Sequence, residues 1–223
     1  MKKDLVIIPA RKGSKRIKNK NLVKILNKPL INWTIEYAKK IKTKNVDIIV
    51  SSDCNKVKKI CIKEKIYFLK RPKKISSDNS KMNQVIFNVL QNLKEKYRYI
   101  ILLQPTSPLR SISLFRNSLK ILNIQKQFDS LIHVAKNNTF IGMIENNMWK
   151  PSYTKDIRSQ DMKYSYVSTG NLFVYRSKLF EKKIKSPKKT YALTSNQKWV
   201  DIDNPEDLLL FKSYLNEKKI YNR

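Results

Sequence analysis

Two stretches of this chain concentrate the side chains that phosphate and sugar chemistry uses. The first, Pro9-Ala10-Arg11-Lys12-Gly13-Ser14-Lys15-Arg16-Ile17-Lys18-Asn19-Lys20-Asn21, follows a short apolar run. Backbone amides around Gly13, together with Arg11 and Lys20, can wrap a triphosphate where a strand ends. The spacing is neither G-x-x-x-x-G-K-[ST] nor G-x-G-x-x-G. The second, Gln104-Pro105-Thr106-Ser107-Pro108-Leu109-Arg110, sets hydroxyl and amide groups in a proline-stiffened loop ending in a guanidinium. Such a loop can grade a polyhydroxylated acid. A third feature, Val200-Asp201-Ile202-Asp203, puts two carboxylates at i and i+2. In a strand these share a face and converge on a hard cation such as Mg²⁺. Each has a plainer alternative: a solvated basic turn, a rigid turn, and a helix start at Asp203 ahead of Pro205.

Composition narrows the chemistry. His133 is the only histidine, so Ser-His-Asp, Cys-His and multi-histidine metal sites lose their central residue. Catalysis is left to Lys, Arg, carboxylates and hydroxyls. Within a buried strand, His133 itself reads as a packed, satisfied side chain. Cys54 and Cys61 are too few for a disulfide scaffold or a zinc site, and read as structural thiols of a reduced, cytoplasmic protein. No stretch approaches the roughly 18 apolar residues of a membrane span, and the first residues do not resemble an export signal. The net charge of +31 over 223 residues draws in nucleic acid, nucleotides and acidic small molecules alike. Only nine of the 48 basic residues are arginines, which disfavours nucleic acid, whose recognition leans on the planar Arg fork.

The elements that must position these groups follow from periodicity. Continuous apolar runs at 5–8, 46–50, 99–103 and 130–134 predict strands buried on both faces, and amphipathic stretches at 29–42, 55–65, 80–96 and 113–125 predict helices between them. That alternation predicts an α/β fold with a mostly parallel sheet flanked by helices. Ligand sites in such sheets lie in the loops after the strands, here 10–21, 51–53, 71–81 and 104–110. Residues 136–169 lose the pattern and read as an inserted flap or dimerisation arm, leaving one α/β domain of residues 1–135 and 170–223. Tyr153, Tyr164 and Tyr166 in the arm can stack on a base or sugar, or seal a dimer contact. Order returns with strands at 171–175 and 198–202 and a helix from Pro205 to about residue 218, capped by Asn204.

These residues resemble a family. Ile7-Ile8-Pro9-Ala10-Arg11-Lys12-Gly13-Ser14-Lys15, Lys20-Asn21, Lys28-Pro29-Leu30-Ile31, Ser51-Ser52-Asp53, Arg71-Pro72, Leu103 through Arg110 and Val200 through Asp203 look like the acylneuraminate cytidylyltransferases, or CMP-sialic acid synthetases. The resemblance implies a Rossmann-like nucleotidyltransferase that joins CTP to the anomeric hydroxyl of an acidic nine-carbon keto-sugar and releases pyrophosphate. It implies that Ala10 and Gly13 lie at the nucleotide, with Arg11, Ser14 and Lys20 at its phosphates and Asn21 and Arg71 at the cytidine, and that Gln104, Thr106 and Ser107 lie at the sugar acid. It makes Asp201 and Asp203 the Mg²⁺ ligands, Arg11, Lys20 and Asp203 the catalytic set, and the protein a homodimer. A related acceptor such as a 3-deoxy-octulosonic acid is the nearest enzymatic alternative. From a different class comes a basic nucleic-acid-binding α/β module.

The chain departs from the family's usual words on the sugar side. Val167 and Thr169 stand where an Arg and the Asn of an Asn-Gly pair are usual. Asp78-Asn79-Ser80-Lys81 replaces Asp-Thr-Ala-Ser, and Ser159-Gln160-Asp161 replaces Arg-Gln-Asp, with Arg158 one place early. The nucleotide is therefore better specified than the sugar, which can be sialic, pseudaminic, legionaminic or another acid.

Overall fold

The computed structural model describes residues 2–93, 95–137, 139, 141–152, 165–181 and 186–221. It begins with β1 (Lys3–Pro9), a small hairpin of β2 (Lys24–Ile25) and β3 (Lys28–Pro29), and α1 (Leu30–Ile41). Then come β4 (Val46–Ser52), α2 (Asn55–Lys63), β5 (Tyr67–Lys70), α3 (Met82–Gln91), β6 (Tyr97–Leu102), α4 (Ile112–Ile124) and β7 (Ser130–Asn137). A second hairpin of β8 (Gly142–Glu145) and β9 (Met148–Pro151) precedes β10 (Ser165–Arg176), β11 (Thr190–Thr194) and α5 (Pro205–Tyr221).

Seven strands form one sheet in the order β11-β7-β10-β6-β1-β4-β5. All neighbours run parallel except β10, which is antiparallel to both β6 and β7. β1 shows why the central runs lack polar alternation: Val6 and Ile8 enter a core with α1, α2 and α4, while Leu5 and Ile7 enter another with Ile86 and Val89 of α3. Both faces are covered, so both sets of side chains must be apolar. A third cluster packs Phe211 of α5 on Ile17, Leu109, Val200 and Ile202. It ties together the loops that carry the candidate site.

The expected α/β class, helices and central strands are present. His133 is 1% exposed with both ring nitrogens hydrogen-bonded, and both cysteines are free and buried. Burial pushes the Cys61 thiol up to about 11. Among the described residues no helix is long and apolar enough to cross a membrane.

Three expectations need correction. Residues 198–202 are not a strand: Val200 and Ile202 are buried, but Ile202 N–H donates to the Thr106 carbonyl at 2.7 Å, outside any ladder. The edge strands β5 and β11, half-exposed in pattern, were not among the expected strands. β10 is 12 residues long and starts inside the stretch assigned to the arm. Of that arm, the structure describes the end of β7, the β8–β9 hairpin and the start of β10, whose Tyr166 is exposed; Tyr153, Arg158, Ser159, Gln160, Asp161 and Tyr164 lie outside the described residues. α5 starts at Pro205 as expected, and Asp207 Oδ2 accepts from the amides of Asp203 and Asn204 at 2.8 Å each.

Candidate active site

β1 and β6 are neighbours, but the chain leaves β1 toward β4 and leaves β6 toward β7. Loops that part in this way open a crevice at the carboxyl ends of the strands. A cleft of about 380 Å³ lies there, lined by the loop after β1, by Arg71, Asp78 and Met82, by Gln104 to Thr106, and by Asp203.

The loop after β1 is fixed at several points. Ala10 N–H extends the pairing with β4 by donating to the Ser51 carbonyl at 2.9 Å, and Lys12 N–H donates to Asp53 Oδ1 at 2.7 Å. Asn21 Nδ2 closes the loop on the Arg11 carbonyl at 3.0 Å, and Ile17 anchors it in the α5 cluster. Arg11, Ser14, Lys20 and Asn21 then face the cleft as expected, joined by Lys15 and Arg16. Ala10 is wholly buried and Gly13 exposed, and neither lines the cleft.

Charge is concentrated here. Lys20, only 13% exposed, donates to Asp203 Oδ1 at 2.7 Å and to the Ile202 carbonyl at 2.8 Å, while Arg16 reaches Asp203 Oδ2 at 3.0 Å. Asp78 takes the equivalent place opposite Arg11 and Lys15, the latter at 3.0 Å. Burial alone would raise the Asp203 carboxyl, but Lys20 and Arg16 outweigh it and hold it below the usual carboxylate range. Lys15 and Arg11 do the same for Asp78. Arg71 is buried beneath the cleft, with Nε and one terminal nitrogen on Ser51 at 3.3 and 2.9 Å. Desolvation lowers it to about 10, against the nearby Asp53, so it stays charged at neutral pH. Five cations therefore line the cleft against two carboxylates, a field that selects a polyanion.

The opposite wall is polar and neutral. Gln104 and Thr106 line it, whereas Ser107 is fully buried and donates to Asp201 Oδ1 at 3.0 Å. Arg110, expected to grade an acid, is instead internal. It is bonded to Thr34 Oγ1 at 3.1 Å, to the Gln104 carbonyl at 2.5 Å and to the Asn171 carbonyl, and burial lowers it to about 9. Gly170 of β10 abuts this wall with φ +69°; a Cβ there would collide with Ser107 Oγ and crowd Gln104 Oε1 at 3.2 Å. Asp201 and Asp203 therefore do not act as a matched pair on a strand, since Asp203 faces the cleft and Asp201 faces Ser107. Arg16, Lys15 and Asp78 were not singled out beforehand. The signal for the two cations was membership of the basic loop, and that for Asp78 its place in the 71–81 loop.

Comparison with known proteins agrees with this geometry. The cytidylyltransferase family pattern matches residues 5–222. A pseudaminic acid cytidylyltransferase of Campylobacter jejuni is 30% identical over 92% of this chain and 93% of that protein. A CMP-N,N'-diacetyllegionaminic acid synthase of Legionella pneumophila is 28% identical, with coverages of 92% and 93%. An N-acylneuraminate cytidylyltransferase of Escherichia coli is 31% identical over 61% of this chain, which spans only 32% of that protein. Among solved structures, a CMP:2-keto-3-deoxy-manno-octonic acid synthetase complexed with CTP superimposes with a TM-score of 0.70 at 15% identity, over 97% of this chain and 99% of that one, a likeness of fold. The family pattern runs from β1 into α5 and so takes in every loop that lines the cleft, and the chain belongs to the cytidylyltransferase family.

Proposed function

We propose that the protein transfers CMP from CTP to the anomeric hydroxyl of a nonulosonic acid and releases pyrophosphate. The observation that carries this is the cleft itself, with five cations on one side and the amide and hydroxyl of Gln104 and Thr106 on the other. The anomeric hydroxyl oxygen attacks the α-phosphorus and its proton passes to water, while the bond from that phosphorus to the bridging β-phosphate oxygen breaks and its electron pair leaves with pyrophosphate. Such a displacement needs positioning and charge neutralisation, which Arg11, Lys15, Arg16 and Lys20 supply to the triphosphate without a histidine. Arg71 and Asn21 sit deeper, suited to the cytidine. The acceptor class rests on the relatives named for pseudaminic, legionaminic and neuraminic acids.

The family resemblance brings Mg²⁺ with it, and the donor set suits that ion. Among the described residues no three His, Cys, Asp or Glu side chains gather. Mg²⁺ asks for no such cage, taking one or two carboxylates and filling its remaining positions with water and phosphate oxygens. Asp203 would hold it, with Asp201 two residues away; the ion would neutralise triphosphate charge. Lys20 and Arg16, now on Asp203, are the cations free to turn to phosphate.

The same proposal includes a cytoplasmic homodimer. The β8–β9 hairpin exposes Met143, Ile144, Met148 and Trp149, with Ile144 at 72%, an apolar surface suited to a second copy. The free cysteines suit a reducing compartment.

Pyrophosphate release, measured with each nucleoside triphosphate across a panel of nonulosonic and 3-deoxy-octulosonic acids, tests the proposal. Release confined to CTP and a nonulosonic acid supports it. Turnover with ATP or GTP but not CTP overturns the base, and turnover with an octulosonic acid alone overturns the acceptor.

A further inference from the structure

β10 carries a bulge held by a hydrogen-bond chain that the chemistry above leaves unused. Between Ser168 and Phe173 it spends four residues where β7 spends only His133. Bulges beside sites re-aim the strand that bears them. His133 Nδ1 lies 2.7 Å from Thr169 Oγ1, and Nε2 lies 2.7 Å from Ser195 Oγ. Thr169 Oγ1 donates to the His133 carbonyl at 3.2 Å and accepts from Asn171 N–H at 3.3 Å.

Counting protons assigns the tautomer. A threonine hydroxyl has one proton and a carbonyl only accepts, so that proton goes to the carbonyl and Nδ1 must donate. Burial lowers the His133 pKa, which keeps the ring neutral at neutral pH. Nε2 then accepts the Ser195 proton, and Gln197 N–H donates to Ser195 Oγ at 3.3 Å.

The chain ends where the acceptor wall begins. Thr169 is bonded to Gly170, which packs on Gln104, Ser107 and Asp201. Arg110 holds the far side through the Asn171 and Gln104 carbonyls. The backbone facing Gln104 is thus suspended between an arginine clamp and a histidine clamp. Arg11, Lys20, Asn21 and Arg71 come from other loops and make no hydrogen bond to His133, Thr169 or Ser195.

We propose that His133, as the Nδ1–H tautomer, is a positioning residue for the acceptor: by holding Thr169 it fixes Gly170 against Gln104 and so governs binding of the sugar acid and not of the nucleotide. This rests on the cytidylyltransferase function proposed above.

Steady-state kinetics separate the two substrates, using whichever of N-acetylneuraminate, pseudaminic acid or legionaminic acid gives turnover. His133→Asn keeps an N–H where Nδ1 stands; His133→Gln reaches Ser195 but abandons Thr169; Thr169→Val removes the hydroxyl. We expect His133→Gln and Thr169→Val to raise the acceptor KM by about tenfold or more, the scale of one lost buried hydrogen bond. The CTP KM should stay within about twofold, and His133→Asn should restore most of the loss. Equal rises in both KM values, or an unchanged acceptor KM in folded His133→Gln, overturn the proposal. Should that variant fail to fold, Thr169→Ser, which keeps the hydroxyl, and the wild-type ring decide. As the sole histidine, His133 gives unambiguous ¹⁵N ring signals, and an Nε2–H ring overturns the assignment without any activity measurement. Absence of CMP transfer by the wild type to every acceptor would sink the function proposal instead, and leaves the ring assignment standing.

Discussion

Replacing Lys20 by Met keeps an unbranched side chain of similar length and removes the charge. In the free protein Lys20 makes two hydrogen bonds, to Asp203 Oδ1 and to the Ile202 carbonyl, and is largely enclosed. Asp203 keeps Arg16, so folding should lose about 2 kcal/mol, about 1 for each of the two hydrogen bonds given up. Catalysis should lose a contact to the charged triphosphate, worth about 1.5–3 kcal/mol. At about 1.4 kcal/mol per decade, that is a fall of roughly tenfold to a hundredfold in kcat/KM for CTP. The upper end is expected, since the variant also leaves Asp203 with one cation fewer to mask it from the triphosphate. Pyrophosphate release at varied CTP, read beside a thermal melt, is the assay. A kcat/KM within about twofold of wild type in a folded variant would refute the phosphate role; loss of rate together with loss of fold would make Lys20 a structural tie between the first loop and the segment before α5.

Asp78→Asn should tighten CTP binding by calorimetry, because Arg11 and Lys15 no longer have an internal carboxylate to leave; weaker binding would mean that Asp78 shapes the loop instead. Ile144→Glu with Trp149→Glu should give monomers in sedimentation, and a dimer that survives both excludes the hairpin as the interface. The lone histidine gives a pH test of stability. Its folded pKa is lowered, so on acidification through about 6.5 the unfolded chain takes up the proton first and stability falls. The melting-temperature advantage of wild type over His133→Asn should shrink from pH 7.5 to 5.5; an advantage that grows would place the folded pKa above the unfolded one. Cys61, pushed up to about 11 and buried, should resist alkylation at pH 8 until the protein unfolds.

The central strands were legible because burial on both faces leaves an uninterrupted apolar signature, as in Leu5 to Ile8. The cleft-lining residues of the first loop were legible because a basic loop straight after such a strand can go only to the carboxyl edge. The edge strands were not, since β11 alternates exposed and half-buried residues and has one neighbour. Val200-Asp201-Ile202-Asp203 misled in an instructive way: its alternation is genuine, but it answers to Phe211 and Leu109 and not to a neighbouring strand. Arg110 and Asp78 show what spacing cannot carry. One guanidinium turns inward to backbone carbonyls and one carboxylate returns to a loop 67 residues earlier, and both outcomes depend on tertiary placement.

Lys20 and its carbonyl partner Ile202 are 182 residues apart. At a synthesis rate of about 5–20 residues per second, roughly 10–40 s pass between the emergence of the first loop and that of the segment that satisfies it. During that interval β1, β4 and β6 can already pair and Asp78 can meet Arg11 and Lys15, while Arg16 and Lys20 stand without Asp203. A nascent chain stalled before Ile202 should therefore hold much of its sheet yet bind polyanions without discrimination. Discrimination would be the last property the ribosome delivers.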